Sequence, residues 1–276
     1  MNKIIDSHIH CSDSSGDDLL IPYAEINHLK YNLRELLSLM EENHVVRGLL
    51  LSPPIRGNVP LPNEKIIEQC ERSEGKLCPI LTVEPSRNAV SDAITLAKAY
   101  KSEVRGFKIR LGYVECFASD EVFDPLYDFA ESENLPVLFH TGDTALSSGS
   151  LVHSHPLTLD RLANSRENLK IVACHFGNPW IEDVAELTYK HFNVYADISG
   201  LFTGMTKYGD RFKQTLAKRI SEAIYFADGA QKILFGTDYP VETYSAAIEF
   251  AKSLAIDQED LEKIMYSNAR RVFELD

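Results

Sequence analysis

The first residues able to do chemistry stand in "IIDSHIHCSD", positions 4 to 13, where His8 and His10 flank a single isoleucine at the end of an apolar run. Residues two apart on a strand point to one face, so Asp6, His8 and His10 are expected to share it. Burying a carboxylate and two imidazoles together is costly unless each polar group has a partner, and neutral imidazole is the commonest protein metal ligand. On this stretch alone two readings stay open: part of a metal site, or structural histidines satisfied by hydrogen bonds near a chain end.

Other polar residues fall late in apolar runs in the same way. Lys108 and Arg110 lie in "VRGFKIRL", His140 in "LPVLFHTG", His175 in "LKIVACHFG" and Asp238 in "KILFGTDYP". Scattered structural histidines have no reason to choose the same end of separate strands, whereas a metal site at the mouth of a barrel requires it. Three imidazoles and a carboxylate are the expected donors for zinc or a similar divalent ion that keeps one position open for water. Asp238 also fits a turn or helix-capping role ahead of Pro240, and His175 a core histidine.

The elements that must position these groups are short β-branched runs alternating with amphipathic segments, the pattern of parallel βα units. The strand candidates number eight, at 3–10, 45–52, 77–85, 104–111, 135–142, 169–177, 193–200 and 232–240. Helical patterns such as "YNLRELLSLMEEN", "AVSDAITLAKAY", "HPLTLDRLANS" and "RFKQTLAKRISEAIYFA" separate them, and two more helices follow the last strand. Eight units in 276 residues argue for a single-domain (β/α)8 TIM barrel spanning 1–276 over an open doubly wound sheet. No helix opens on a Gly-rich nucleotide-binding loop. The longest irregular pieces, 11–28, 53–61 and 143–154, follow the first, second and fifth strands and are expected at the active face.

Composition narrows the partners. The balance of 41 acidic against 28 basic residues, a formal charge of −13, disfavours nucleic acid and anionic membrane surfaces and favours a small-molecule partner. Five scattered cysteines without a CxxC pair argue against a disulfide framework or zinc ribbon, and a reducing, cytoplasmic setting is expected. The N-terminus lacks a signal-peptide pattern, and no apolar stretch reaches the ~18 to 20 residues of a membrane span. A homodimer is the default expectation for assembly.

Taken in order, "DSHIH", "RGFKIRLG", "PVLFHTGD", "HSHPLTLDRLA", "LKIVACHFGNPW", "NVYADISG", "ILFGTDYP" and "SNARRVFEL" resemble the amidohydrolase superfamily, in its branch of small TIM-barrel metal-dependent hydrolases called amidohydrolase-2. The resemblance covers nearly the whole chain. It implies that His8, His10, His140 and Asp238 ligate one divalent ion, zinc first with manganese, iron or cobalt as alternatives, and that His175 acts on the substrate beside it. The larger relatives' β-sandwich is absent, as expected for this branch. Such an ion lowers the pKa of its water to about 7. The implied activity is therefore hydrolysis of a small amide or lactone, carboxylate-bearing, by metal-bound hydroxide, with Asp238 taking the water's proton and His175 polarising the carbonyl. Two alternatives are carried: a non-oxidative decarboxylase of an aromatic or unsaturated acid, which the same branch contains, and a non-catalytic barrel that keeps the metal for stability.

Lys108 and Arg110 share a face and are expected either to hold a substrate carboxylate or to pair internally with Glu84 or Asp197. Many members of the branch carry histidine where this chain has Arg110, which leaves the bound group open. The position of Lys108 also permits a carboxylated, metal-bridging lysine, but the branch usually works with one metal and Arg110 adds a repelling charge, so one metal and an unmodified Lys108 are expected. His155 of the "HP" pair and Trp180 are candidate substrate contacts, with capping and ordinary packing as their alternatives. Cys11 and Cys174 adjoin site residues but alternation points them away.

Overall fold

The computed structural model describes residues 3–13, 18–202 and 209–275; residues 14–17 of the irregular 11–28 segment lie outside the described residues. The apolar runs form eight strands: β1 Ile4–His10, β2 Val45–Leu51, β3 Leu77–Thr82, β4 Phe107–Ile109, β5 Val137–Phe139, β6 Ile171–Ala173, β7 Val194–Asp197 and β8 Ile233–Leu234. They pair in sequence order, every pair parallel. The two ends meet through a parallel bridge between Ile9 and Tyr239, which makes the sheet a TIM barrel.

Each strand is buried on both faces because helices cover the outside. Helix Leu33–Glu42 illustrates the local cause: Leu33, Leu36 and Met40 recur on one buried stripe, and the Asn32 side chain caps the first turn by accepting from the Glu35 N–H at 3.0 Å. The barrel interior is filled by Ile5, Leu49, Leu51, Ile80, Leu138, Val172 and Leu234, which pack with the C-terminal Val272, Phe273 and Leu275. Lys170, just ahead of β6, donates to the Val272 carbonyl at 3.1 Å, so the chain's last residues close the N-terminal mouth. Only the opposite mouth is left for a site.

Every strand is shorter than its apolar run. β5, β6 and β8 stop before the residues that carry chemistry, so His140 lies one residue past Phe139, His175 two past Ala173 and Asp238 four past Leu234. The backbone leaves the ladder where it turns left-handed, at His175 (φ 61°), Phe176 (φ 47°) and Asp238 (φ 56°). The segment read as one helix at 155–165 is a 3₁₀ turn, Pro156–Leu159, followed by helix Asp160–Ser165. The irregular pieces also hold structure: helix Ile21–Ile26, helix Leu151–Ser154, and an antiparallel ribbon pairing Pro54–Ile55 with Val59–Pro60.

The closing seam is stitched by polar atoms. The Asp6 carboxylate accepts from the His8 N–H (3.0 Å), the Thr237 N–H (3.0 Å) and the Thr237 hydroxyl (2.6 Å). A bulge in β1 between Asp6 and Ile9 breaks the two-residue period. Asp6 is thereby turned to the seam, not to the histidines' face as alternation predicts. Asp6→Ala would leave two buried backbone N–H groups without partners, at roughly 1–3 kcal/mol each. Denaturant unfolding should show a loss of about 2–5 kcal/mol; a loss within 0.5 kcal/mol would mean the seam does not depend on it.

Candidate active site

His8 and His10 project from β1 toward Asp238, and the ligand atoms of the three lie within 4.8 Å of one another. Their tautomers are set from behind. His8 Nδ1 donates to Asp197 Oδ2 at 3.0 Å, and His10 Nδ1 donates to the Leu51 carbonyl at 3.0 Å. Each histidine thus turns Nε2 toward Asp238 Oδ1, at 3.5 Å from His8 and 3.1 Å from His10. Burial, then the charge of Lys108, lowers His8 to a pKa of about 4 although Asp197 opposes the shift. Neutral His8 therefore points a lone pair at a carboxylate oxygen, two acceptors face to face. A divalent cation between them resolves that conflict, and ligating histidines are oriented by such rear partners as Asp197. The donor set fits a metal.

Asp238 is fixed by its main chain, whose N–H donates to the His8 carbonyl at 2.8 Å. Burial pushes its carboxyl upward, but the surrounding imidazoles of His10, His8 and His175, which take up protons before it does on acidification, outweigh this and hold it well below the usual range. Asp197 behaves alike: burial raises it, while His8, His175 and Ser199 together hold it low. Besides His8, Asp197 accepts from the His175 N–H at 2.8 Å and the Ser199 N–H at 3.1 Å. Gly200 lets these groups converge. Its φ is +62°, and a Cβ there would lie 2.5 Å from Asp238 Oδ2 and 2.9 Å from His175 Nδ1.

His175 Nδ1 donates to the Ser199 carbonyl at 3.0 Å, which leaves Nε2 as its exchangeable atom. Its ring lies 4.9 Å from that of His8 and 4.8 Å from that of His140. Burial keeps His175 and His140 below the ordinary imidazole value. His140, implied as a fourth ligand, lines the same pocket, but its Nε2–H is held by the Asp143 carbonyl at 2.9 Å and it stands outside the close-set trio.

Lys108 is buried, and its Nζ donates to Cys174 Sγ at 2.9 Å. That contact corrects the expectation that Cys174 points away: the chain has left the strand at Ala173, so alternation no longer applies. His8, Cys174 and Asp197 also cluster within 4.8 Å. Burial holds the Cys174 thiol well above its ordinary pKa, and an ammonium stands beside it, so a second cation there is disfavoured. Arg110 takes the internal pair foreseen with Glu84, at 3.0 Å.

These groups floor a cavity of about 160 Å³ whose walls include Leu19, Leu20, Tyr23, Pro54, Tyr113 and Leu146. His155 and Trp180 are not among its lining residues; their rings pack on each other at 4.6 Å, and His155 faces Asp183 at 3.6 Å. The 3₁₀ turn after His155, whose first N–H groups His155 caps through Leu157, gives that side chain a local structural role in place of a substrate contact. Asp197 and Asn58 were not read as site residues. Asp197 carried the same strand-end signal as the histidines, in "NVYADISG"; Asn58 carried none.

The family model described as amidohydrolase matches residues 5–275. Gamma-resorcylate decarboxylase of Rhodococcus jostii (strain RHA1) is 24% identical over 96% of this chain and 94% of its own. Many solved structures share the fold, among them two with bound ligands. The probable 2-pyrone-4,6-dicarboxylic acid hydrolase of Acinetobacter baumannii, with citric acid bound, has a TM-score of 0.70 at 17% identity, covering 99% of this chain and 100% of its own. The dihydroxybenzoic acid decarboxylase of Polaromonas sp. JS666, with manganese and 2-nitroresorcinol bound, has a TM-score of 0.67 at 17% identity, covering 100% and 98%.

Two outcomes follow for the trio. His8→Ala or His10→Ala should cut bound metal sharply while Ile9→Ala leaves it intact, measured as metal per chain; full occupancy in the double histidine variant would exclude the assignment. In metal-free protein, the unfolded chain takes up protons on His8, His140 and His175 before the native state does, because their native pKa values lie below 6.5. Their contribution to stability is present above 6.5 and lost as pH falls toward 4. Asp6, pushed up to about 7 chiefly by burial, acts in the opposite sense, its contribution being lost as pH rises from 3.8 toward 7. Asp6→Asn should therefore steepen the loss on acidification in urea titrations, and an unchanged slope would contradict these protonation states.

Proposed function

This chain belongs to the amidohydrolase family, and from that premise we propose that it is a metal-dependent decarboxylase of a small aromatic or unsaturated carboxylic acid. The observation that carries the proposal is Lys108, a buried cation with no carboxylate partner among the described residues, in a cavity of about 160 Å³ beside the His8, His10 and Asp238 trio. A cavity of about 150 Å³ holds one benzene ring. The full-length likeness to a gamma-resorcylate decarboxylase supports decarboxylation over hydrolysis.

His8 Nε2, His10 Nε2 and Asp238 would hold a divalent ion, which would supply Lewis-acid charge for a substrate oxygen; two imidazoles and a carboxylate suit zinc and manganese alike. Lys108 Nζ attracts the substrate carboxylate to the same end, while Leu19, Leu20, Pro54 and Leu146 wall the ring and keep water out. Decarboxylation breaks the bond between ring carbon and carboxylate, leaves its electron pair on the ring carbon and requires one proton there as carbon dioxide departs. We assign that proton to His175 Nε2. Burial holds the His175 imidazole below its ordinary value, and an anion beside it would raise its affinity for a proton, so the proton would enter with the substrate.

Hydrolysis remains the second reading, and one observation favours it: the Asp238 carboxyl is held ionised, as a base that takes a water's proton must be. The two separate in a panel of hydroxybenzoates, lactones and amides assayed for carbon dioxide against acid release. Carbon dioxide release that chelation abolishes and one divalent metal restores is expected; acid release from lactones alone would replace the first reading by the second. His175→Asn should lower kcat by about 10²- to 10⁴-fold with metal still bound. Lys108→Met should raise KM for the acid and leave metal content unchanged; loss of metal with Lys108 would assign that residue to coordination.

A further inference from the structure

Two cations, Lys108 and Arg110, stand two residues apart on and just past β4, and both line the pocket. Only one of them is free to take a second charge. Arg110 Nη2 donates to Glu84 Oε1 at 3.0 Å and to the Asn58 carbonyl at 2.8 Å, and Nη1 donates to Asn58 Oδ1 at 3.1 Å. Asn58 in turn donates from Nδ2 to the Tyr113 carbonyl at 3.2 Å, which holds the ribbon after β2 against the segment after β4. The side chain of Arg110 is 7% exposed and that of Glu84 34%, so the pair is buried on the arginine side and open to water on the glutamate side. The Arg110 Nε–H is buried without a partner, a donor left over once the charge has been matched. The Lys108 ammonium has a thiol as its neighbour and, among the described residues, no carboxylate partner.

Resting on the reading above, we propose that Glu84 sets the substrate's charge: by neutralising Arg110 it restricts the pocket to monocarboxylates whose second polar group is uncharged. A carboxylate brought to Lys108 gains an unmatched cation. A second carboxylate brought to Arg110 meets a guanidinium already paired, beside the like charge of Glu84. An uncharged hydroxyl or carbonyl oxygen meets no such repulsion. The residue is specificity-determining and takes no part in the chemical step.

Calorimetric titration of the manganese-loaded protein with salicylate, isophthalate and 4-hydroxyisophthalate, each checked for carbon dioxide release, tests this through binding. The native protein should bind salicylate at least tenfold more tightly than either dicarboxylate. Glu84→Gln should strengthen 4-hydroxyisophthalate binding at least tenfold while changing salicylate little, and Glu84→Asp should keep the native order. Equal affinities in the native protein, or an unchanged ratio in Glu84→Gln with a native-like melting temperature, overturns the proposal. Should Glu84→Gln not fold, the native ratio together with Glu84→Asp decides. A preference for monocarboxylates without carbon dioxide release from any acid would count against decarboxylation and leave the role of Glu84 standing; carbon dioxide release with no charge preference would do the reverse.

Discussion

The structure depends on the seam where β1 meets the segment after β8. A barrel has no edge only if its first and last strands pair, and here β8 contributes two ladder residues before the chain turns away. Closure therefore falls to hydrogen bonds that reach past the strand: Phe235 O to Ser7 N–H at 2.9 Å, Tyr239 O to His10 N–H at 2.8 Å and His8 O to Asp238 N–H at 2.8 Å. The bonds that shut the barrel are also those that bring Asp238 to the two histidines. Fold and donor set are one constraint, and Asp6, buried across the seam, serves both.

Electrostatics at the mouth follows from that convergence. Burial favours the neutral form of every ionisable group, and the imidazoles comply, whereas Asp197 and Asp238 stay ionised because histidines and amide donors surround them. Asp197 ties these effects together, for one oxygen orients His8 and the other holds the backbone of His175 and Ser199. Left-handed backbone at His175, Asp238 and Gly200 is the accompanying strain, stabilised by the surrounding bonds. A lone pair aimed at a carboxylate and a lysine with no counter-ion among the described residues are both unsatisfied in isolation. Each points to what the pocket is built to receive.

The pocket also divides its labour by depth. The charged end is supplied by residues at or just past the barrel strands, whose positions the ladder restrains, and the apolar walls by the ribbon Pro54–Pro60, helix Ile21–Ile26 and the segments holding Tyr113 and Leu146. Rigid elements hold the donors, as catalytic geometry demands, while loops shape the space for the ring. Within one family fold, reactions and substrates can therefore differ through the walls while the floor stays the same.

The sequence by itself determined the barrel and the end of it that matters. Both are local properties: an apolar run of strand length followed by an amphipathic helix can be read residue by residue, and a polar residue at the close of such a run marks the open mouth. His8, His10, His140, His175, Lys108, Arg110 and Asp238 were all legible in this way, and all line the pocket. Tertiary structure alone decided which of them meet. The β1 bulge turned Asp6 from the ligand face to the seam, the Asp143 carbonyl took one nitrogen of His140, and the packing of His155 on Trp180 left both outside the cavity. It also decided that Glu84, not Asp197, pairs with Arg110, and that Asp197 stands behind His8. The reason is that most of these contacts join residues far apart in the chain, and the nearer ones, at the β1 bulge and between His140 and Asp143, fall where strand alternation ends and no local period reports direction.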